Sequence, residues 1–464
     1  MADASTRELA RLTTQLRYDA LPPAVRDDAL LLVIDTLGCL VAGWDSPPAR
    51  IAQELAREVQ ADSPARVLGR GFASSAELAG FANTVAARYL DYNDTYQGVG
   101  TGHPSDVIPG LLSLAESVHA DGKTFLTAVV AAYEAFGTIA KEIPIRDKGW
   151  DQGVLIGLGE AVGASVLLGL DQEQTENAIG LVVTMCAPTR ATRSGRLFMW
   201  KAAATAAASR LGIFAATLAQ AGMTGPDEPI EGRHGLWEQV TGEFRVRPFG
   251  DPDPWIVSTT SIKYLPFESN AHGPLDLVEE LVKQARVEEI EKIAVTTYWN
   301  GWHDIGSEKE KWAPDTRETA DHSLPFILAA YLVDGKITRD SFDDAHIADP
   351  RIREVMSRIT VDEDPAFSAL WPEEVHSRIV ATLTDGRSLT FDVAHPKGHF
   401  RNRGTAEDIY AKYRLNTVDV LGAERAEVTL ERLKTLAGLA DVGEVVSQFL
   451  GFPDAAEAAP AGVA

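Results

Sequence analysis

Two short polar clusters stand close together in this chain, Asp91-Tyr92-Asn93-Asp94-Thr95 and Gly102-His103-Pro104-Ser105-Asp106. Both follow an apolar helical stretch, and a further helix is predicted from Val107 to Val118 directly after them. Carboxylates, a hydroxyl and a histidine pinned between helices suit acid–base chemistry on a small molecule. Histidine titrates near neutrality and can take or give a proton. His103 sits between Gly102 and Pro104, a backbone too constrained for regular helix, so its ring is expected to project from a fixed loop. Asp91 could orient His103 or act as an acid itself, and Asp94 could simply cap the loop. Thr95 would hydrogen-bond a carboxylate or a leaving hydroxyl.

Other candidates lie further along. Lys201 falls in an apolar, alanine-rich helix, where an unpaired charge is costly, so a partner such as an anionic substrate is expected. Arg190, Arg193 and Arg196 lie just upstream, and arginine grips carboxylates bidentately. His272 follows the Pro266 turn and could be a second acid–base group opposite His103, with Lys263 and Tyr264 as neighbours. His322 lies between Asp321 and Ser323, where Asp321 could equally be a helix cap. A basic run in a loop is usually solvated, and a histidine before proline is often structural. No Cys-x-x-Cys spacing suggests a metal, and no glycine-rich phosphate loop appears. With only Cys39 and Cys186, a cysteine-ligated iron–sulfur cluster is excluded, so this chemistry falls to side chains.

The elements that must position these groups belong to a chain of 464 residues, long enough for two or three domains. Its net charge of -24 argues against nucleic-acid or membrane partners. The N-terminus lacks a signal-peptide pattern, and two widely spaced cysteines fit a reducing cytoplasm. The apolar run Ala29 to Ala42 is too short to span a bilayer and reads as a buried helix. Residues 1 to about 265 read as helical almost throughout. Ser46 before Pro47-Pro48 signals the start of a helix carrying Ile51 and Leu55, and Asp171 precedes another. In Lys201 to Gln220 the residues Leu211, Phe214 and Leu218 share one face.

After residue 285 the pattern changes. Ile293 to Trp299 and Ile359 to Val361 read as strands, and Ser377 to Leu383 and Ser388 to Val393 flank the hairpin signal Asp385-Gly386. Ser323 to Leu332 looks helical. Helix returns at Thr405 to Asp408, which has capping-box spacing, and the last residues read as a loose tail.

Seven segments resemble the MmgE/PrpD family and keep its order: Asp91 to Thr95, Gly102 to Asp106, Met199-Trp200-Lys201, Gly222 to Pro226, Ile262 to Pro266, Asp321 to Pro325 and Gly398-His399. The family includes 2-methylcitrate dehydratase, cis-aconitate decarboxylase and iminodisuccinate epimerase. The resemblance implies a mainly α fold: a helical domain from residues 1–268 and 405–455, an inserted α+β lid domain over 269–404, and a flexible tail, 456–464. It also implies a homodimer, catalysis without metal, and a pocket lined by Asp91, Thr95, His103 and Lys201. After Pro266 the dehydratases usually carry histidine four residues on. This chain has Asn270 there and His272 two further, as in the decarboxylases. Gln152 stands where many members have histidine.

The leading expectation is therefore a lyase that dehydrates 2-methylcitrate or a related carboxylate. Lys201 with Arg190 or Arg193 would hold the carboxylates. Decarboxylation and epimerisation draw on the same groups, and a non-catalytic carboxylate-binding protein is the remaining alternative.

Overall fold

The computed structural model describes residues 2–452. The expected tail at 456–464, and the last residues of the 405–455 segment, lie outside the described residues. The chain is mostly helical with a small mixed sheet.

The helical part is built on long, apolar segments: α1 (Pro23–Gly43), α2 (Ala76–Arg88), α3 (Ile108–Ser117), α4 (Gly122–Ala140), α5 (Gly153–Leu167), α6 (Gln172–Met185) and α7 (Trp200–Gln220). Asp171 opens α6 with a full capping box through Gln174. One hydrophobic core runs from Leu9 to Ile262 and is completed by residues from Ile409 to Phe452. Small residues set the packing. A Cβ on Gly212 of α7 would come within 2.5 Å of the Glu160 Cβ on α5, so these two helices touch nearly backbone to backbone. By length and composition α7 could cross a membrane. Here it packs against α2, α5 and α6.

In two helices burial does not follow the large apolar side chains. In α7 the alanines, Gly212 and Ile213 are buried, while Phe214 is exposed and Leu211 and Leu218 are only partly covered. Close helix packing favours the small side over the large one. In helix Pro47–Arg57, Ile51 is 57% and Leu55 56% exposed. Ser46 takes the N-cap position there without a side-chain capping bond.

A second core holds residues from Phe267 to Leu383. Its sheet has the order β2-β1-β3-β4, with β1 (Ile290–Thr297), β2 (Ile359–Glu363), β3 (Ser377–Leu383) and β4 (Ser388–Val393). β1 pairs parallel with β2 and antiparallel with β3, and β3 pairs antiparallel with β4. Gly386 supplies the positive φ of 85° that the β3–β4 turn needs. Trp299 does not continue β1; it begins a short helix, Trp299–Ile305. α8 (His272–Leu281) packs on β3 and β4. Finally α9 (Ala406–Leu421), opened by the Thr405–Asp408 capping box, packs on α1. Buried Lys412 of α9 lies 2.6 Å from buried Asp35 of α1.

Candidate active site

Helix α2 ends at Arg88, and three residues on, Asp91 adopts a left-handed φ of 51°. Aspartate tolerates this conformation better than most residues. The turn carries the Asp91 carboxylate back under Arg88, whose Nη1 lies 3.0 Å from Oδ1. Lys201, from the first turn of α7, lies 3.1 Å from Oδ2. Lys263 donates to Oδ1 in a very short contact and to the Asp91 carbonyl at 3.0 Å. All four side chains are at most 2% exposed. Burial alone would raise the Asp91 pKa, but the charges of Arg88, Lys263 and Lys201 outweigh it and hold the carboxyl well below its usual range. Asp91 is thus a fixed anion that accepts hydrogen bonds. The expectation that it acts as an acid is set aside.

His103 leaves the loop with its backbone N–H donated to the Gln152 Oε1 at 2.6 Å. Its Nδ1 lies 2.6 Å from the Asp94 carbonyl oxygen. A carbonyl only accepts, so Nδ1 carries the proton and Nε2 keeps its lone pair. Burial, then the charges of Arg88 and Lys263, push the His103 pKa well below that of free histidine. The ring is therefore neutral at neutral pH. Asp94 itself is a loop brace: its carboxylate accepts from the Ser105 N–H, the Ser105 hydroxyl and the Tyr133 hydroxyl. Burial pushes its pKa up to about 7.

A second histidine comes from the small α/β part. His322 Nδ1 is 2.6 Å from Asp321 Oδ1 and Nε2 is 3.3 Å from Asp91 Oδ2. Burial and the Lys201 charge push its pKa down to about 3, against the pull of Asp321 and Asp91. Asp321 is no simple helix cap, because it also pairs with Lys201 at 3.0 Å and Arg317 at 2.9 Å. Lys201 therefore finds its partners within the protein and not first in a substrate.

Arg88, His103 and His322 border a cavity of about 40 Å³ lined also by Thr95, Gln152, Glu268 and a set of cations, Arg146, Arg190, Arg193 and Lys311, whereas Asp91, Lys201 and Lys263, expected in the pocket or beside it, do not line it. Arg193 pairs with buried Asp151 at 2.7 Å. Asp304 of the α/β part reaches across to Arg146 at 3.0 Å and Arg190 at 3.4 Å. Thr95 is held by paired backbone bonds to Ser261 of 2.9 and 2.8 Å.

Not every expected residue reaches this cavity. The Tyr264 hydroxyl donates to the Arg403 carbonyl at 2.8 Å and Lys397 sits over its ring, so it serves the joint to the C-terminal segment. His272 opens α8 and its ring lies against Phe267, with Nε2 buried and unpartnered among the described residues. It does not line the cavity, and the histidine beside Asp91 from the α/β part is His322. Asn270 accepts from the Tyr298 hydroxyl and donates to Glu268. Sequence reasoning missed Arg88, Arg146, Asp304 and Lys311. Arg88 alone left a signal, a charge closing an alanine-rich apolar helix three residues before Asp91. Among the described residues no group of three or more His, Cys, Asp or Glu is arranged to hold a metal ion.

Comparison with known families matches residues 7–248 to the MmgE/PrpD N-terminal domain and residues 265–436 to the MmgE/PrpD C-terminal domain. The chain belongs to the MmgE/PrpD family. Among its relatives is the 2-methylcitrate dehydratase of Escherichia coli K12, 27% identical over 84% of this chain and 85% of that protein. The 2-methylcitrate dehydratase of Cupriavidus necator is 26% identical over 86% and 87%. Human cis-aconitate decarboxylase is 26% identical over 99% of this chain and 98% of its own length.

Proposed function

We propose that this chain is a lyase acting on a small di- or tricarboxylate, with dehydration of 2-methylcitrate to 2-methylaconitate as the leading reaction. The observation that carries this reading is His103, a neutral imidazole with its proton fixed on Nδ1, beside a cation-rich cavity in a chain of net charge -24. The cations would hold substrate carboxylates and lower the cost of removing the neighbouring proton. His103 Nε2 would take that proton. The imidazolium so formed would pass that proton to the departing hydroxyl, which leaves as water, while neutral His322, held 3.2 Å from Lys201, would hydrogen-bond it. Asp91 would hold Lys201 and Lys263 in place throughout. The names of the bacterial relatives support dehydration and that of the human relative supports decarboxylation.

A cavity of about 40 Å³ holds little more than a water molecule. Substrate entry would thus require the α/β part to withdraw as a lid and release Asp304 from Arg146 and Arg190. The same reading has the enzyme work as a homodimer, supported by the half-exposed apolar run Phe198-Met199-Trp200.

The test is an ultraviolet assay for a conjugated alkene formed from 2-methylcitrate, citrate or related hydroxy acids. A rise supports dehydration. No rise with any of them overturns it, and carbon dioxide release from an unsaturated tricarboxylate would put decarboxylation in its place.

A further inference from the structure

A second cavity, of about 350 Å³, is walled by residues 96–99, the outer stretch of the loop whose base holds Thr95 and His103. It shares no lining residue with the candidate active site. Its volume falls in the range of small-molecule sites, about 300–1,000 Å³. The loop is cross-tied at its neck, where Tyr96 and Gly102 exchange backbone hydrogen bonds of 2.8 and 3.1 Å.

Two polar side chains line this cavity without partners. Gln97 is 7% and Tyr96 9% exposed, yet neither the amide nor the phenol hydroxyl makes a hydrogen bond among the described residues. Their polar ends are not enclosed in protein but open onto the cavity, where a ligand would replace solvent as their partner. The lining carries four cations and four carboxylates, but their pairing is uneven: Lys141 lies 4.0 Å from Asp253, and Glu134 accepts from the Ile256 N–H. Arg247 is matched by Glu142 at 2.7 Å and Asp253 at 3.3 Å, and Arg401 by Glu373. Arg245, exposed at the edge, has no ion-pair partner among the described residues. Phe249 and Phe400 add apolar walls.

We propose that this cavity binds a small organic anion with a flat apolar body and a hydroxyl. The hydroxyl would meet Gln97 and Tyr96, the body would lie against the aromatic walls, and the anionic group would meet Arg245. This site stands independently of the reaction proposed above.

The probe is 4-hydroxybenzoate, titrated calorimetrically into the full chain. Saturable binding in the parent is expected. Gln97→Leu and Arg245→Gln should each weaken it about tenfold or more, as loss of a charge-assisted or buried hydrogen bond requires. His103→Ala should bind like the parent. Absence of saturable binding to the parent would overturn the proposal. So would unchanged affinity in both variants, or loss in His103→Ala, which would place the probe in the other cavity. Circular dichroism checks folding. If Gln97→Leu fails to fold, Arg245→Gln at its exposed position decides.

Discussion

Replacing Asp91 with asparagine keeps the shape of the side chain and removes the one negative charge that Arg88, Lys201 and Lys263 all face. At an effective dielectric of about 20, each contact at this range involves about 4 kcal/mol of Coulomb energy. Two compensations remain, Asp321 at 3.0 Å from Lys201 and Asp106 at 3.6 Å from Arg88. Among the described residues Lys263 has no such substitute. The net loss should therefore match that for breaking a buried pair from one side, about 3–5 kcal/mol. Urea unfolding followed by tryptophan fluorescence reads it as a lower midpoint at neutral pH. The pH dependence gives a second check. Burial already lowers the Lys263 pKa despite Asp91, and without Asp91 it should fall further. A base with a depressed folded pKa gains stability as pH rises toward its unfolded value, because the unfolded chain binds the extra proton. The deficit of Asp91→Asn should thus shrink between neutral and mildly alkaline pH. A variant within about 1 kcal/mol of the parent, with no pH trend, would refute the claim that Asp91 neutralises this cluster.

Replacing His103 with alanine should lower turnover by about two to four orders of magnitude, measured in the alkene assay. Its stability should change by only about 1 kcal/mol, the value of one hydrogen bond. Since His103 and His322 titrate below free histidine, the latter at about 3, kcat/KM should stay level through the usual histidine range and fall only at lower pH. An acid limb centred near free histidine would contradict this. His272 is held neutral by burial, with its pKa pushed down to about 3. Its contribution to stability is present above its unfolded pKa of about 6.5 and is lost as pH falls through the window down to the folded value. A His272→Asn variant should show a weaker acid destabilisation by calorimetry. Tyr264→Phe should leave kcat/KM within about twofold, because the hydroxyl is engaged away from the cavity.

What could be read from sequence follows from how local the signal is. The β3–β4 hairpin and the Thr405 and Asp171 caps depend on residues within a few positions, and all three match the structure. Which face of α7 and of helix Pro47–Arg57 is buried depends on what packs against it, which periodicity does not contain. The site divides the same way. The His103 ring is fixed by Asp94 of its own loop and was legible there, although Ser261 and Gln152, which hold Thr95 and the His103 backbone, come from distant segments. The pairing of Asp91 with Lys201, Lys263 and His322 joins segments far apart in the chain. So does the reach of Asp304 to Arg146 and Arg190, and nothing local announces it. His272 and Tyr264 sit in motif segments where the chain passes from one core to the other, so proximity in sequence suggested a proximity to the cavity that the fold does not provide.

The proposed reaction turns on proton transfer at carbon by His103 on a carboxylate substrate. Its most direct test is incubation of parent and His103→Ala with 2-methylcitrate and related carboxylates in deuterium oxide, read by proton NMR. The parent is expected to exchange or remove the proton beside a carboxylate, and His103→Ala to do so at least about a hundredfold more slowly. Equal exchange by the two proteins, or none by the parent with any of these compounds, would contradict it.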